Sequence, residues 1–395
     1  MFEHIVMRRS EGGQPVTAGQ IAEALFYYQK LHLFIDRETL VSLIKQIGTG
    51  GVLTLLKRTD VSAVYCEELL ATSTSSIGVL QCHNFVTIVS AGPKDAGQFK
   101  TPRERLKFDL ERHGVPKDNA KRFSKIFFQT VPIRRFSGNY YISGGIPAAA
   151  KLDLLDIENT KMALRQAVAT MPGGYVPGDD LTLNITESDL GFFVFTNLDL
   201  EKINKRLSKV APTPEPITLG HLLSNLLEAR ADFSLASFYG GDFVTSASRS
   251  AIIRTRHQEL LKRTALNKSS RDTFIEMVLP DSPSIAEVID SGERSLDEFF
   301  HLLDKAARFK GWLKQVNPDE NLIRTYTRDI TSEGWIQRLP AKVLRYMFNL
   351  GLEVTHPTAA LAASLADHFL IEKLLSGWRP NHFVTGKLQP FVRGD

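Results

Sequence analysis

Cysteine is nearly missing: Cys66 and Cys82 are the only two in 395 residues. Two thiols give no disulfide framework, so free thiols and a reducing compartment are expected. Long hydrophobic runs are missing too. The longest uncharged stretch, between residues 68 and 94, is interrupted throughout by Ser, Thr, Gln, Asn and His. The apolar run at 354–366 is too short to span hydrocarbon and stops at Asp367. The opening residues, MFEHIVMRRSEGGQPV, contain no apolar segment leading to a small-residue cleavage site. The expectation is a soluble cytoplasmic protein with no transmembrane segment.

Catalytic signatures are equally scarce. No glycine cluster matches the phosphate-cradling G-x-x-x-x-G-K-[ST]. The turn at 48–51 departs from G-x-G-x-x-G, because Leu53 occupies its last position. The ten histidines never form HExxH, and no CxxC or GxSxG occurs. Cys66, Cys82 and His83 could meet across paired strands, but a fourth ligand is not visible, and buried structural cysteines are the commoner outcome. Asp179 and Asp180 open a hairpin, where acidic residues usually serve turn chemistry. No metal and no cofactor are expected, and the balance leans away from an enzyme.

What is present is an ordinary globular composition, 43% hydrophobic and 23% charged. The length exceeds what one core usually serves. The fold class expected is mixed α/β (α+β), an N-terminal helix-and-strand region followed by a mainly helical C-terminal region. Three segments are expected: an α/β region at 1–145, a helix plus β-hairpin region at 146–211, and a helical domain at 218–395. The three prolines of APTPEPI form the connector between the last two.

Within this frame, strand composition is read over 27–35, 62–69 and 77–89, and short helices over 37–47 and 52–57. Thr101 and Glu104 form a capping box with Pro102 at the first helical position, and Gly114 ends that helix. Pro116 and Asp118 open a second, so 101–129 reads as a helix-turn-helix-like pair, followed by a strand-like NYYIS at 139–143. SGGIPAAA reads as loop and 154–170 as helix. DLTLNIT and LGFFVFTN read as a hairpin and 199–210 as helix. Further helices are expected at about 218–230, 247–265, 284–291, 296–315, 320–328, 340–349 and 358–376. Trp378, Pro380 and Phe383 are expected to pin the tail.

Charge is the most informative positive feature. The net value is only +4, yet residues 100–135 hold eleven Lys/Arg against four Asp/Glu, a balance of +7. Residues 249–271 hold seven against one, or +6, leaving −9 elsewhere. In the second segment Arg249, Arg256 and Arg263 are seven apart, flanked by Arg254 and Lys262, and successive members would rise about 10 Å along one helix. In the first, Lys117, Lys121, Arg122 and Lys125 are the candidate contacts, while Phe123 and Phe127 fall at core spacing. A solvated face is the commoner fate of such residues. The functional expectation is a non-enzymatic or regulatory protein engaging nucleic acid or another polyanion through these helices, within a larger assembly. Two other classes compete: an enzyme with a dispersed site acting on nucleic acid, and a bacterial stress or antiviral defence effector. The latter would act through protein or membrane contacts of its alanine-rich C-terminal helices.

Overall fold

The computed structural model describes residues 2–89, 99–210, 215–316, 322, 326 and 379–394. They fall into two compact units. The larger comprises His4–Thr17 and Lys30–Lys262, and the smaller Met1–Glu3, Ala18–Gln29 and Arg263–Asp395. Helices and sheets are both present, with a helical C-terminal region, as the composition suggested. The connector at 211–214 lies outside the described residues. So do the helices expected at 320–328 (apart from Leu322 and Tyr326), 340–349 and 358–376, and Trp378.

The larger unit opens on β1 (His4–Met7), after which the chain passes to α1 (Ala18–Tyr27) in the smaller unit and returns as β2 (Lys30–Ile35). Asp36 then caps α2 (Arg37–Leu56), its Oδ1 accepting from the Thr39 amide at 2.8 Å. The two short helices expected here are one helix broken internally at Gly48, whose φ of +69° suits glycine alone. This helix is long and apolar enough to cross a membrane by length and composition. Its place argues otherwise: it joins β2 to β3 (Val61–Tyr65), which pair in parallel in one sheet, and Leu40, Leu43, Val52 and Leu55 are fully buried. The apolar composition serves a protein core.

β4 (Glu68–Ile77) and β5 (Leu80–Val89) form a hairpin turned at Gly78. Then come α3 (Pro102–Arg112), α4 (Lys117–Thr130), α5 (Gly145–Leu155), α6 (Ile157–Ala169), β6 (Leu183–Ser188), β7 (Gly191–Thr196), α7 (Leu200–Leu207) and α8 (Leu219–Tyr239). Strand β8 (Asp242–Phe243), α9 (Ala247–Arg256) and the start of α10 (Gln258–Val278) complete the unit. Two four-stranded sheets result. One is parallel throughout, in the order β3-β2-β1-β8. The other is antiparallel, in the order β4-β5-β7-β6. Leu223, Leu227 and Leu235 of α8 share a buried core with Val6, Phe34 and Val64 of the first sheet and Phe85 and Phe192 of the second. Cys66 and Cys82 are both free and buried.

Two local expectations need correcting, and one strand runs where no element was read. The polar run 68–77 is a strand, because its hydroxyls find partners: Thr74 Oγ1 meets His83 Nδ1 at 2.9 Å and Ser224 Oγ donates to Thr72 Oγ1 at 2.9 Å. The glycine-rich 144–150 is not a loop but the start of α5, where proline is tolerated in a first turn. NYYIS is a series of turns rather than a strand, its Tyr140 and Tyr141 packing on Phe238 of α8 at 5.2 and 5.3 Å.

A histidine pair sits inside the parallel sheet. His4 Nδ1 and His32 Nε2 are 3.0 Å apart with stacked rings, and Tyr239 also stacks on His32 at 4.3 Å. Burial, then the charges of His4 and Lys30, lower the His32 pKa from 6.5 to about 4. The folded protein therefore binds fewer protons here than the unfolded chain. This contribution to stability is complete above about pH 6.5 and is lost as pH falls toward 4. Urea midpoints at pH 7.5 and 5 should fall in the wild type and fall less in His32→Phe, which keeps the stack without titrating. Equal falls would remove His32 from the account.

In the smaller unit α1 packs on α11 (Ile285–Asp290) at Gly19, whose amide donates to Asp290 Oδ1 at 2.8 Å. A Cβ at Gly19 would lie 2.2 Å from the Ala286 carbonyl oxygen. Gly→Ala in an open helix gains about 1 kcal/mol, whereas here a backbone overlap opposes it and should prevail, costing about 1–3 kcal/mol net. Thermal unfolding of Gly19→Ala checks this, and a raised midpoint would contradict it. Capping boxes at Ser284/Glu287 and Ser295/Glu298 start α11 and α12 (Leu296–Lys305), followed by α13 (Ala307–Gln315). Phe383, from α14 (Pro380–Phe383), is buried and stacks on Phe26 at 6.0 Å and Phe309 at 5.1 Å, anchoring the tail as expected. One π-turn (Val384–Leu388) and α15 (Gln389–Arg393) end the described chain.

Candidate nucleic-acid interface

The first basic segment folds as its sequence implies. Thr101 and Glu104 make the reciprocal capping box that starts α3, and Gly114, at φ +86°, turns the chain toward α4. Helix α4 divides cleanly into two faces. Ala120, Phe123 and Phe127 are buried, Phe123 stacking on Phe127 at 5.6 Å and Tyr65 of β3 meeting Phe127 edge-on at 5.4 Å. Beyond the helix, the Tyr65 amide donates to the Pro132 carbonyl and the Arg134 amide to the Tyr65 carbonyl, both at 2.9 Å. The segment leaving α4 is thus tied to the edge of the parallel sheet, which fixes the helix by both its aromatic face and its exit.

The opposite face carries Lys117, Lys121, Arg122 and Lys125, all exposed. Among the described residues none of the four forms an ion pair, and Asp118 is the helix's one acidic residue. Lys117, Lys121 and Lys125 are four apart and define a stripe about 12 Å long. Arg103 and Arg112 of α3 are exposed as well. Other cations of the segment are engaged: Arg105 grips Glu67 through two bonds, at 3.1 and 2.7 Å, and Lys107 pairs with Glu111 at 3.5 Å.

The second basic segment is not one helix face. The seven-residue periodicity over 249–263 is interrupted at His257, the C-cap of α9, with φ −130° and ψ 51°. Its ring instead lies flat on Phe233 at 3.7 Å. Arg249 turns inward, its Nη1 3.5 Å from Asp232 and 3.7 Å from Glu228 of α8. Arg254 is exposed. The side chains of Arg256, Lys262 and Arg263 lie outside the described residues.

Arg249 leads to a charged cluster that sequence spacing did not single out. Arg8, directly after β1, reaches Asp232 through Nε at 3.1 Å and Nη2 at 2.8 Å, and pairs with Glu228 through Nη2. Thr245 Oγ1 donates to the second Asp232 oxygen at 2.9 Å. Burial opposes the Arg8 charge, but Glu228 and then Asp232 outweigh it and its pKa is raised. Burial likewise opposes ionisation of Glu228, and Arg8 then Arg249 overcome it, holding its carboxyl below the usual range. The available signal was a pair of arginines immediately following a short apolar strand.

Among the described residues no group of three or more His, Cys, Asp or Glu could hold a metal ion. Burial raises the Cys66 thiol to about 12, which leaves it protonated and a poor nucleophile near neutral pH. No family model, curated protein or solved structure matches the chain.

Proposed function

We propose that the protein binds nucleic acid through the outer face of α4, contacting the phosphate backbone rather than the bases. The observation that carries this reading is the set Lys117, Lys121, Arg122 and Lys125, four exposed cations on one fourteen-residue helix with no described ion pair. Cations held in place by a rigid helix and left unpaired neutralise phosphates and release condensed counterions on binding.

The aromatic residues narrow the mode. Phe123 and Phe127, which could have stacked bases or entered a lipid surface, are in the core. Without them, recognition is electrostatic and insensitive to sequence, and single and double strands differ mainly through charge density. Fluorescence anisotropy with a labelled duplex and its single strand tests this. Both should bind at low salt, with little dependence on base composition and a steep loss by 200 mM. Absence of binding at low salt, or binding to anionic vesicles but to neither probe, would overturn the reading.

A further inference from the structure

A cavity of about 400 Å³ opens at the C-terminal ends of β1, β2 and β3 in the larger unit. Its place follows from topology. In the order β3-β2-β1-β8 the chain progresses outward from β1 in one direction and adds β8 on the other side, so β1 borders the point where strand order reverses. In open parallel sheets this is where a crevice forms over the strand ends and where ligands bind. The volume falls in the range of small-molecule sites.

The walls are charged because each strand ends in charged residues. Arg8 and Arg9 follow β1, Asp36 and Glu38 follow β2, Glu68 lies just beyond β3 with its carboxylate accepting from Ser137, Glu228 comes from α8, and Arg249 from the first turn of α9. Two of the three guanidiniums are closely held. Arg8 has Glu228 and Asp232, and Arg9 has Asp36 at 2.5 Å and Glu38 at 3.0 Å. Arg249 differs. Its carboxylate contacts are long, 3.5 and 3.7 Å, and its buried Nε has no hydrogen-bond partner among the described residues. A largely buried guanidinium with only long carboxylate contacts, standing in the wall of an open cavity, suits a tetrahedral or planar oxyanion.

We propose that this crevice binds a small organic phosphate whose phosphoryl group is held by Arg249. The carboxylates elsewhere in the lining keep the cavity from becoming a general anion trap, so one anionic group on an otherwise uncharged body is the best match. This site stands apart from the α4 face, whose four cations are absent from the lining, and the two proposals fail separately.

Calorimetric titration with ribose 5-phosphate and adenosine monophosphate, with ribose as the uncharged control, tests it on the full chain. At least one phosphate should bind and ribose should not. Arg249→Gln should weaken binding by about tenfold or more, the loss expected of a charge-assisted bond. Glu228 and Asp232 keep Arg8 in that variant, so the fold should persist. Glu38→Gln should act the opposite way. Its side chain is 57% exposed, so its removal spares the core while releasing Arg9 Nη1 toward the cavity, and binding should tighten by roughly threefold. A general structural defect would weaken binding in both variants. Binding of neither phosphate at millimolar concentration, equal binding of ribose, or shifts of the same sign in the two variants would overturn the proposal.

Discussion

Replacing Arg8 by Met should destabilise the larger unit by about 3–5 kcal/mol, the cost of breaking a buried ion pair from one side. The Arg8, Glu228 and Asp232 side chains are only 11%, 18% and 4% exposed. Without Arg8, two carboxylates share the distant Arg249, one oxygen of Asp232 keeps the Thr245 hydroxyl, and the rest of their charge is stranded in the core. Natural domains hold only about 5–15 kcal/mol in total, so the loss should be plain in urea denaturation. Adding Glu228→Gln and Asp232→Asn to Arg8→Met should restore part of it, since amides cost less to bury than unpaired carboxylates.

The pH dependence separates this account from simple loss of packing. The folded Glu228 carboxyl lies below its ordinary value of 4.5. A depressed carboxyl contributes stability that is present above the unfolded value and disappears as pH falls through the folded one. The gap between wild type and Arg8→Met should therefore be widest near pH 7 and close progressively below about pH 4.5. A gap of the same size at both ends would mean that the arginine acts through its packed stem instead.

Local chemistry made much of the fold legible. The capping boxes at Thr101/Glu104 and Ser295/Glu298 place two helix starts, and the Gly114 turn separates α3 from α4, because a cap depends on residues three apart in sequence. Strand β4 was not legible: its Ser and Thr hydroxyls need His83 and Ser224, nine residues and 152 residues away. The face of α4 could be drawn from the spacing of Phe123 and Phe127 alone. The inward turn of Arg249 could not, since it depends on Glu228 and Asp232 lying on the neighbouring α8. For the same reason the cavity over the parallel strands left no mark on sequence. Its charged walls come from positions 8, 9, 36, 38, 68, 228 and 249, which only the fold brings together.

The second large effect concerns α4. Lys117→Gln, Lys121→Gln, Arg122→Gln and Lys125→Gln together should leave folding almost unchanged, because exposed substitutions away from packed sites shift stability within about 0.5 kcal/mol. Removing Lys117, the one cation in the first turn of α4, is, if anything, favourable to the helix dipole. Binding should respond strongly. Each phosphate neutralised on duplex DNA contributes about 0.9 to the slope of log K against log salt. Four contacts then amount to a slope of about −3.6, and to a roughly hundredfold loss of affinity between 50 and 200 mM salt. The most direct measurement is anisotropy of one labelled duplex with the wild type and the fourfold variant across that salt range. The account predicts a steep wild-type slope and a variant whose slope is shallower by about three to four units, with matched unfolding curves. Parallel slopes for the two proteins would contradict it, placing any nucleic-acid contact away from α4.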